Sequence, residues 1–297
     1  MLLNIFIIMF LFGCQEESLI TVMIPQGSPE LASIYVKNDA SYQVDVILGV
    51  DPLIAAFSSQ SHDVIIAPTN LGAKLYQNES SYIMLATIVD GNYFLASQHH
   101  VLTSLNDLEG KELIVFAKNQ TPDIMIQHLL TSYDITCQMT YVDNIASANA
   151  MLILDPNLII MTAEPSLSLL HQTYPNLHVL DLMPFYEYIE GTTYPQASIF
   201  VNTKLNSKTL RKIESDFKYS TNRVNEMIDE AAEVAVSNGI IMDTELIKQS
   251  IPRTHIIYRN AWENKQMIEK FLSLIEKMNP ALIGDQLPNE SFYYRGD

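Results

Sequence analysis

Asp63-Val64-Ile65-Ile66-Ala67-Pro68-Thr69-Asn70-Leu71-Gly72-Ala73-Lys74-Leu75-Tyr76 opens with a short apolar run rich in β-branched residues. Such a run, with no polar alternation, predicts a strand buried on both faces. Pro68 stops it, because proline has no N–H to give the ladder. Thr69 and Asn70 are favoured helix N-cap residues, and a helix-compatible run follows them. A buried strand, a polar loop and a helix start therefore meet within a few residues. In open α/β sheets, ligands sit at the carboxyl ends of the strands. One such loop is equally a plain β-to-α turn; its recurrence along the chain gives it weight.

The same device occurs at 20–36. Leu19 to Ile24 predicts a strand, Pro25-Gln26-Gly27-Ser28 a loop, and Pro29 the first turn of a helix capped by Ser28. Residues 42–49 predict a second strand, followed by a helix capped by Asp51. Residues 82–89 predict a fourth strand, with Asp90-Gly91-Asn92 after it and Tyr93–Ser97 as a strand leaving this unit. Alternating strands and helices imply a parallel sheet covered by helices. The pattern then restarts: a capped turn at 104–111, a strand at 112–116, the loop Ala117 to Pro122, and a helix over 123–133 capped by Thr121. Further strands are predicted at 136–141, 158–161 and 177–182, with helices at 144–152 and 166–173. Residues 198–202 predict a return strand, and from Asn206 onward the chain reads as mostly helical with no new strand, over 208–222, 223–238, 243–250 and 263–278.

Of 297 residues, 48% are hydrophobic, enough for the cores of two domains. The formal net charge of −17 excludes a phosphate-rich partner such as nucleic acid, which requires excess Lys and Arg. It suits a monomer kept apart by self-repulsion. The first fourteen residues are almost wholly apolar, too short to span a bilayer but suited to the apolar region of a signal peptide. Leu11-Phe12-Gly13-Cys14 resembles the bacterial lipoprotein processing box. That resemblance implies cleavage before Cys14, lipid on its sulfur, and Gln15 to Ser18 as a polar tether. Cys137 is the second of 2 cysteines, so once Cys14 is lipidated no intramolecular disulfide can form and thiolate metal sites are disfavoured.

Two α/β lobes, the second inserted into the first, make a two-lobed layout of periplasmic binding protein type II-like form. The chain resembles the solute-binding lipoproteins of ABC importers, in the group that includes sulfonate, nitrate and thiamine-precursor binding proteins. The likeness rests on 63–68, on Leu105-Asn106-Asp107-Leu108-Glu109-Gly110-Lys111, and on Tyr194-Pro195-Gln196-Ala197. It implies lobe one at 18–97 and 196–297, lobe two at 98–195, two hinge crossings, and C-terminal helices packed on lobe one. It further implies an extracytoplasmic, membrane-anchored protein that closes on a small-molecule ligand and delivers it to a membrane permease, without catalysis, cofactor or metal.

The residues expected to line the interlobe cleft are Gln26, Gly27 and Ser28; Asp51; Pro68, Thr69 and Asn70; Asn92 and Tyr93; Asn119, Gln120 and Thr121; Glu164; and Tyr194 and Gln196. Amides and hydroxyls would hydrogen-bond the ligand and tyrosines would stack on it. Asn92 and Gln196 lie near the crossings, where a hinge role competes. Asp51 and Glu164 would accept N–H groups of a ligand, or serve as helix caps. No Arg falls in these loops, and Lys118 is their one cation, so a polar heterocycle such as a pyrimidine-type vitamin precursor is favoured over a small oxyanion. Two rival expectations are an enzyme on the same bilobed fold and a ligand-sensing lipoprotein. The 7 histidines are scattered outside the predicted loops, which counts against general acid–base catalysis.

Overall fold

The computed structural model describes residues 19–78 and 80–296. Cys14 and the apolar leader lie outside the described residues. Among the described residues, no helix is long and apolar enough to cross a membrane.

The chain begins with β1 (Ile20–Pro25), α1 (Ser28–Ala32), α2 (Ile34–Lys37), β2 (Tyr42–Ile47), α3 (Asp51–Ser59), β3 (Val64–Pro68), α4 (Thr69–Gln77) and β4 (Tyr82–Asp90). There follow β5 (Tyr93–Ser97), β6 (Glu112–Phe116), α5 (Thr121–Ser132), β7 (Gln138–Val142), α6 (Ile145–Leu154), β8 (Ile159–Ala163), α7 (Ser166–Thr173), β9 (His178–Asp181) and α8 (Met183–Glu190). The chain closes with β10 (Pro195–Asn202), α9 (Ser207–Glu226), α10 (Ile228–Ser237), α11 (Thr244–Ser250), β11 (Ile256–Asn260) and α12 (Lys265–Met278).

The strands form two sheets, ordered β11-β4-β10-β3-β1-β2 and β7-β6-β8-β5-β9. In the first, β2, β1 and β3 are parallel, and β10 runs antiparallel between β3 and β4. In the second, β7, β6 and β8 are parallel, and β5 runs antiparallel between β8 and β9. Each sheet thus has the same plan: three parallel strands, then one strand that arrives from the other sheet. This is a mixed sheet rather than the all-parallel one expected from the alternation.

β3 behaves as its sequence predicts. Val64, Ile65, Ile66 and Ala67 are fully buried. Ile65 and Ala67 join one apolar core, while Val64 and Ile66 join the core on the other face of the sheet. That second core is closed by α9 and α10, through Ile213, Phe217, Val224, Ala231 and Ala235. Behind β3, α4 lies so close to β10 that a Cβ on Gly72 would stand 2.0 Å from the Phe200 ring.

Three expectations are corrected. Tyr93–Ser97 is buried along its whole length and pairs with β8 and β9. It belongs to the second sheet, so the first crossing is at 91–92 rather than 97–98. The C-terminal segment is not all helical: Ile256–Asn260 adds an edge strand on β4, where β-branched and aromatic residues meet an open edge. An unforeseen helix, α8, also precedes the second crossing.

Candidate functional site

The loops after β1 and β3 face the loops after β6 and β8, so the carboxyl ends of parallel strands from both sheets meet. At one side, Ser28 Oγ donates to the Glu164 carbonyl (3.1 Å), and Asn92 Nδ2 donates to Ser28 Oγ (2.7 Å). A Cβ on Gly27 would stand 3.8 Å from Pro165 Cδ, and Pro165 follows a cis Glu164–Pro165 bond. At the other side, Thr121 Oγ1 donates to Asn70 Oδ1 (3.2 Å), and Asn279 Nδ2 donates to the Asn119 carbonyl (3.2 Å). The starts of α1 and α7 therefore lie at one line of interlobe contact and those of α4 and α5 at the other. Their first-turn N–H groups have no partner within their own helices.

The capping expected of Ser28, Asp51, Thr69–Asn70 and Thr121 is not made. Each helix begins at that residue, after Gly27, Val50, Pro68 or Gln120, with no side-chain cap bond. The side chains are free for tertiary contacts instead. Thr69 spends its hydroxyl inside lobe one, 2.6 Å from Ser198 Oγ. Asn70 also donates to the Leu282 carbonyl. Pro68 ends β3 half-buried beside them.

The loop after β6 contains no glycine, yet Ala117 and Asn119 both take left-handed backbone, at φ 56° and 59°. Asp123, buried in the first turn of α5, accepts the Asn119 N–H at 2.7 Å and holds that conformation. Asn119, Gln120 and Lys118 are exposed, and Lys118 sits over the Tyr141 ring.

Asp51 is exposed at the start of α3, beyond edge strand β2, and is not drawn into this convergence. Gln26 is also exposed. Glu164 is central, but its carboxylate is already engaged. It accepts from Ser168 N and Oγ (3.1 Å each) and pairs with Arg253 Nε at 2.6 Å. Arg253 lies in the C-terminal part of lobe one, so this ion pair joins the lobes.

Asn92 and Gln196 meet at the two crossings, where the Asn92 N–H donates to Gln196 Oε1 (2.9 Å). Ser28 gives its proton to Glu164, so it must accept from the Asn92 amide. That fixes the orientation of Asn92 and leaves its buried Oδ1 without a partner. The tyrosines form the floor of the hinge. Tyr194 stacks on Phe271 of α12 (5.5 Å, 17°) and meets Tyr186 edge-on, and Tyr93 packs against Phe116. Burial pushes both phenols, Tyr93 and Tyr194, above their ordinary pKa, so both stay neutral.

Sequence reasoning missed the residues that tie the crossings together. Asp90 pairs with Arg259 (2.6 Å), which also donates to Thr193. His255 reaches both the Gly91 carbonyl and Asp181. Lys270 of α12 pairs with Glu190 at 2.9 Å. No local pattern marks these residues, because their partners are 66 to 169 positions away. Among the described residues, no group of three His, Cys, Asp or Glu could hold a metal ion. Cys137 is free and half-buried just before β7.

No protein-family model matches the chain, and no curated protein matches it by sequence. Solved structures do match over nearly the whole length. An ABC transporter structure from Parabacteroides distasonis is 21% identical, with 94% of this chain and 100% of that chain covered at a TM-score of 0.84. The zinc-bound ligand-binding component of an ABC-type import system from Staphylococcus aureus is 13% identical, covering 94% and 97% at 0.69. The periplasmic aliphatic sulphonate binding protein from Escherichia coli is 10% identical, with the same coverage and a TM-score of 0.69. The chain has the periplasmic binding protein fold.

Proposed function

We propose that this protein is the extracytoplasmic solute-binding component of an ABC importer. It closes two lobes, 19–91 with 195–296 and 92–194, on one small ligand and hands that ligand to a membrane permease. The observation that carries the reading is the meeting of loops from the carboxyl ends of both parallel strand sets, face to face across two short crossings. Such crossings act as a hinge, and a ligand that touches both lobes shifts the equilibrium toward closure by its differential affinity.

The polar groups that the lobes present to each other are mostly amides and hydroxyls: Asn119 and Gln120, which are exposed, and Ser28, Asn70, Asn92 and Thr121, whose mutual interlobe bonds opening would release to a ligand. Glu164 and Arg253 neutralise each other. That favours a small neutral polar molecule, with a pyrimidine-type vitamin precursor as one member of the class. Lipid on Cys14 would anchor a monomer at the outer face of the membrane.

The test is native mass spectrometry of the purified chain lacking residues 1–14, followed by thermal-shift screening of neutral heterocycles, sulfonates and oxyanions. Binding of one neutral compound in one-to-one stoichiometry, with a raised melting temperature, is expected. Turnover of a bound compound, or selective stabilisation by oxyanions, would overturn this reading of function or of ligand class respectively.

A further inference from the structure

His255 stands at the junction of the two lobes, just before β11. Its Nδ1 lies 2.6 Å from the Gly91 carbonyl oxygen at the first crossing. Its Nε2 lies 3.3 Å from Asp181 Oδ2, at the end of β9 in lobe two. Both partners can only accept. A neutral imidazole has one N–H and serves one of them, whereas an imidazolium serves both. The backbone holds the ring in place: His255 is left-handed at φ 54°, and its own carbonyl accepts the Asp90 N–H.

We propose that His255 is a protonation-dependent latch of the hinge, binding the lobes together as an imidazolium and releasing them when it loses its proton. The inference rests on the reading that the lobes open and close. The charged groups around the ring are Asp181 from β9, Asp90 from the end of β4, and Arg259 from β11, which is itself paired with Asp90. Arg253, two residues earlier, is paired with Glu164. The Phe94 ring of β5 lies 6.1 Å away.

Burial lowers the pKa of the imidazole. The hydrogen bonds to Asp181 and Gly91 and the charges of Asp181 and Asp90 outweigh it and hold His255 above its ordinary 6.5. The group is thus more basic closed than open. Opening removes the Asp181 bond and charge but leaves Gly91 and Asp90 on the same lobe as His255, so the contribution to closure is complete below the open-state pKa and lost as pH rises through the raised closed-state value. Between those limits one proton is linked to opening, so the closed-to-open ratio falls by up to about tenfold per pH unit. At the acid end, burial pushes Asp90 up to about 6, and its protonation withdraws one supporting charge.

The experiment is small-angle scattering of the purified protein from pH 6 to pH 9, alongside an NMR titration of the His255 ring. The radius of gyration is expected to rise reversibly with pH, with the ring titrating above 6.5. His255→Asn suits the left-handed backbone and should remain in the high-pH form throughout. If it fails to fold, Asp181→Asn should bring the ring's titration down. A radius that ignores pH, an unchanged response in His255→Asn, or a ring titrating at or below 6.5 overturns the latch. Arg253→Ala at fixed pH separates this failure from a failure of the clamshell reading. If that variant opens while pH has no effect, the latch alone falls; if neither perturbation changes the shape, both fall.

Discussion

Arg253→Ala tests the closed arrangement most directly. The Glu164 side chain is 0% exposed and its partner 34% exposed, with the Nε–Oε1 contact at 2.6 Å between groups on different lobes. Removing one partner of a fully buried pair costs about 3–5 kcal/mol, because the remaining charge is left without compensation. The one-third exposure of Arg253 lets solvent screen the pair, which reduces the figure to about 1.5–3 kcal/mol. The two bonds from Ser168 stay within lobe two and are unaffected by opening. Opening therefore rehydrates Glu164 without unfolding either lobe. The loss should appear in the closed-to-open equilibrium, as a shift of about 10- to 100-fold toward open. Small-angle scattering would read it as a larger radius of gyration. Hydrogen exchange would read it as faster exchange in 26–28 and at the start of α7, with protection in β1, β3 and β8 retained. A variant that stays closed and instead loses about 2 kcal/mol in urea unfolding would refute the reasoning. The pair would then belong to one rigid body.

Gly91→Ala places a Cβ 1.9 Å from Tyr194 Cζ, and Tyr194 is wedged between Phe271 and Tyr186 and cannot retreat. Overpacking of about 1–3 kcal/mol is expected by urea denaturation, with a displaced crossing. Asp90 is an acid pushed by burial from 3.8 up to about 6, so the folded state binds its proton more tightly than the unfolded chain does. Stability should fall as pH rises from about 4 to about 6. Asp90→Asn should flatten that stretch of a urea-midpoint profile. Cys14→Ser, expressed with the full leader in a bacterial host, should move the protein from the membrane fraction to the soluble one and abolish labelling by a fatty-acid analogue. Retention in the membrane would refute lipid attachment there.

Local chemistry made much of the fold legible. The apolar run 64–67 read as a strand buried on both faces, and its four residues do divide between two cores. The strand–loop–helix repeats marked the carboxyl-end loops, and Ser28, Asn92 and Glu164 do meet across the lobes, as do Asn70 and Thr121. Asp51 shares their local setting but stands apart from them in the fold. It follows edge strand β2, and strand order within a sheet is not written in any one strand. Tyr93–Ser97 misled for a related reason, since an apolar strand satisfies its ladder in whichever sheet has a place for it. The glycine-free loop at 117–121 hid its turn, because Asn119 is held left-handed by a carboxylate on the next helix.

What the sequence by itself determined is the set of elements: which segments bury apolar faces, where each stops, and which polar residues fall at helix starts. Those are consequences of periodicity and backbone preference within a few residues. Only the tertiary structure decided which sheet took β5, that Glu164 pairs with Arg253, and that His255 stands between Gly91 and Asp181. The charge pairs and contacts at the crossings join residues up to 169 positions apart. Their geometry exists only once both sheets have formed and the crossings have set the lobes against each other.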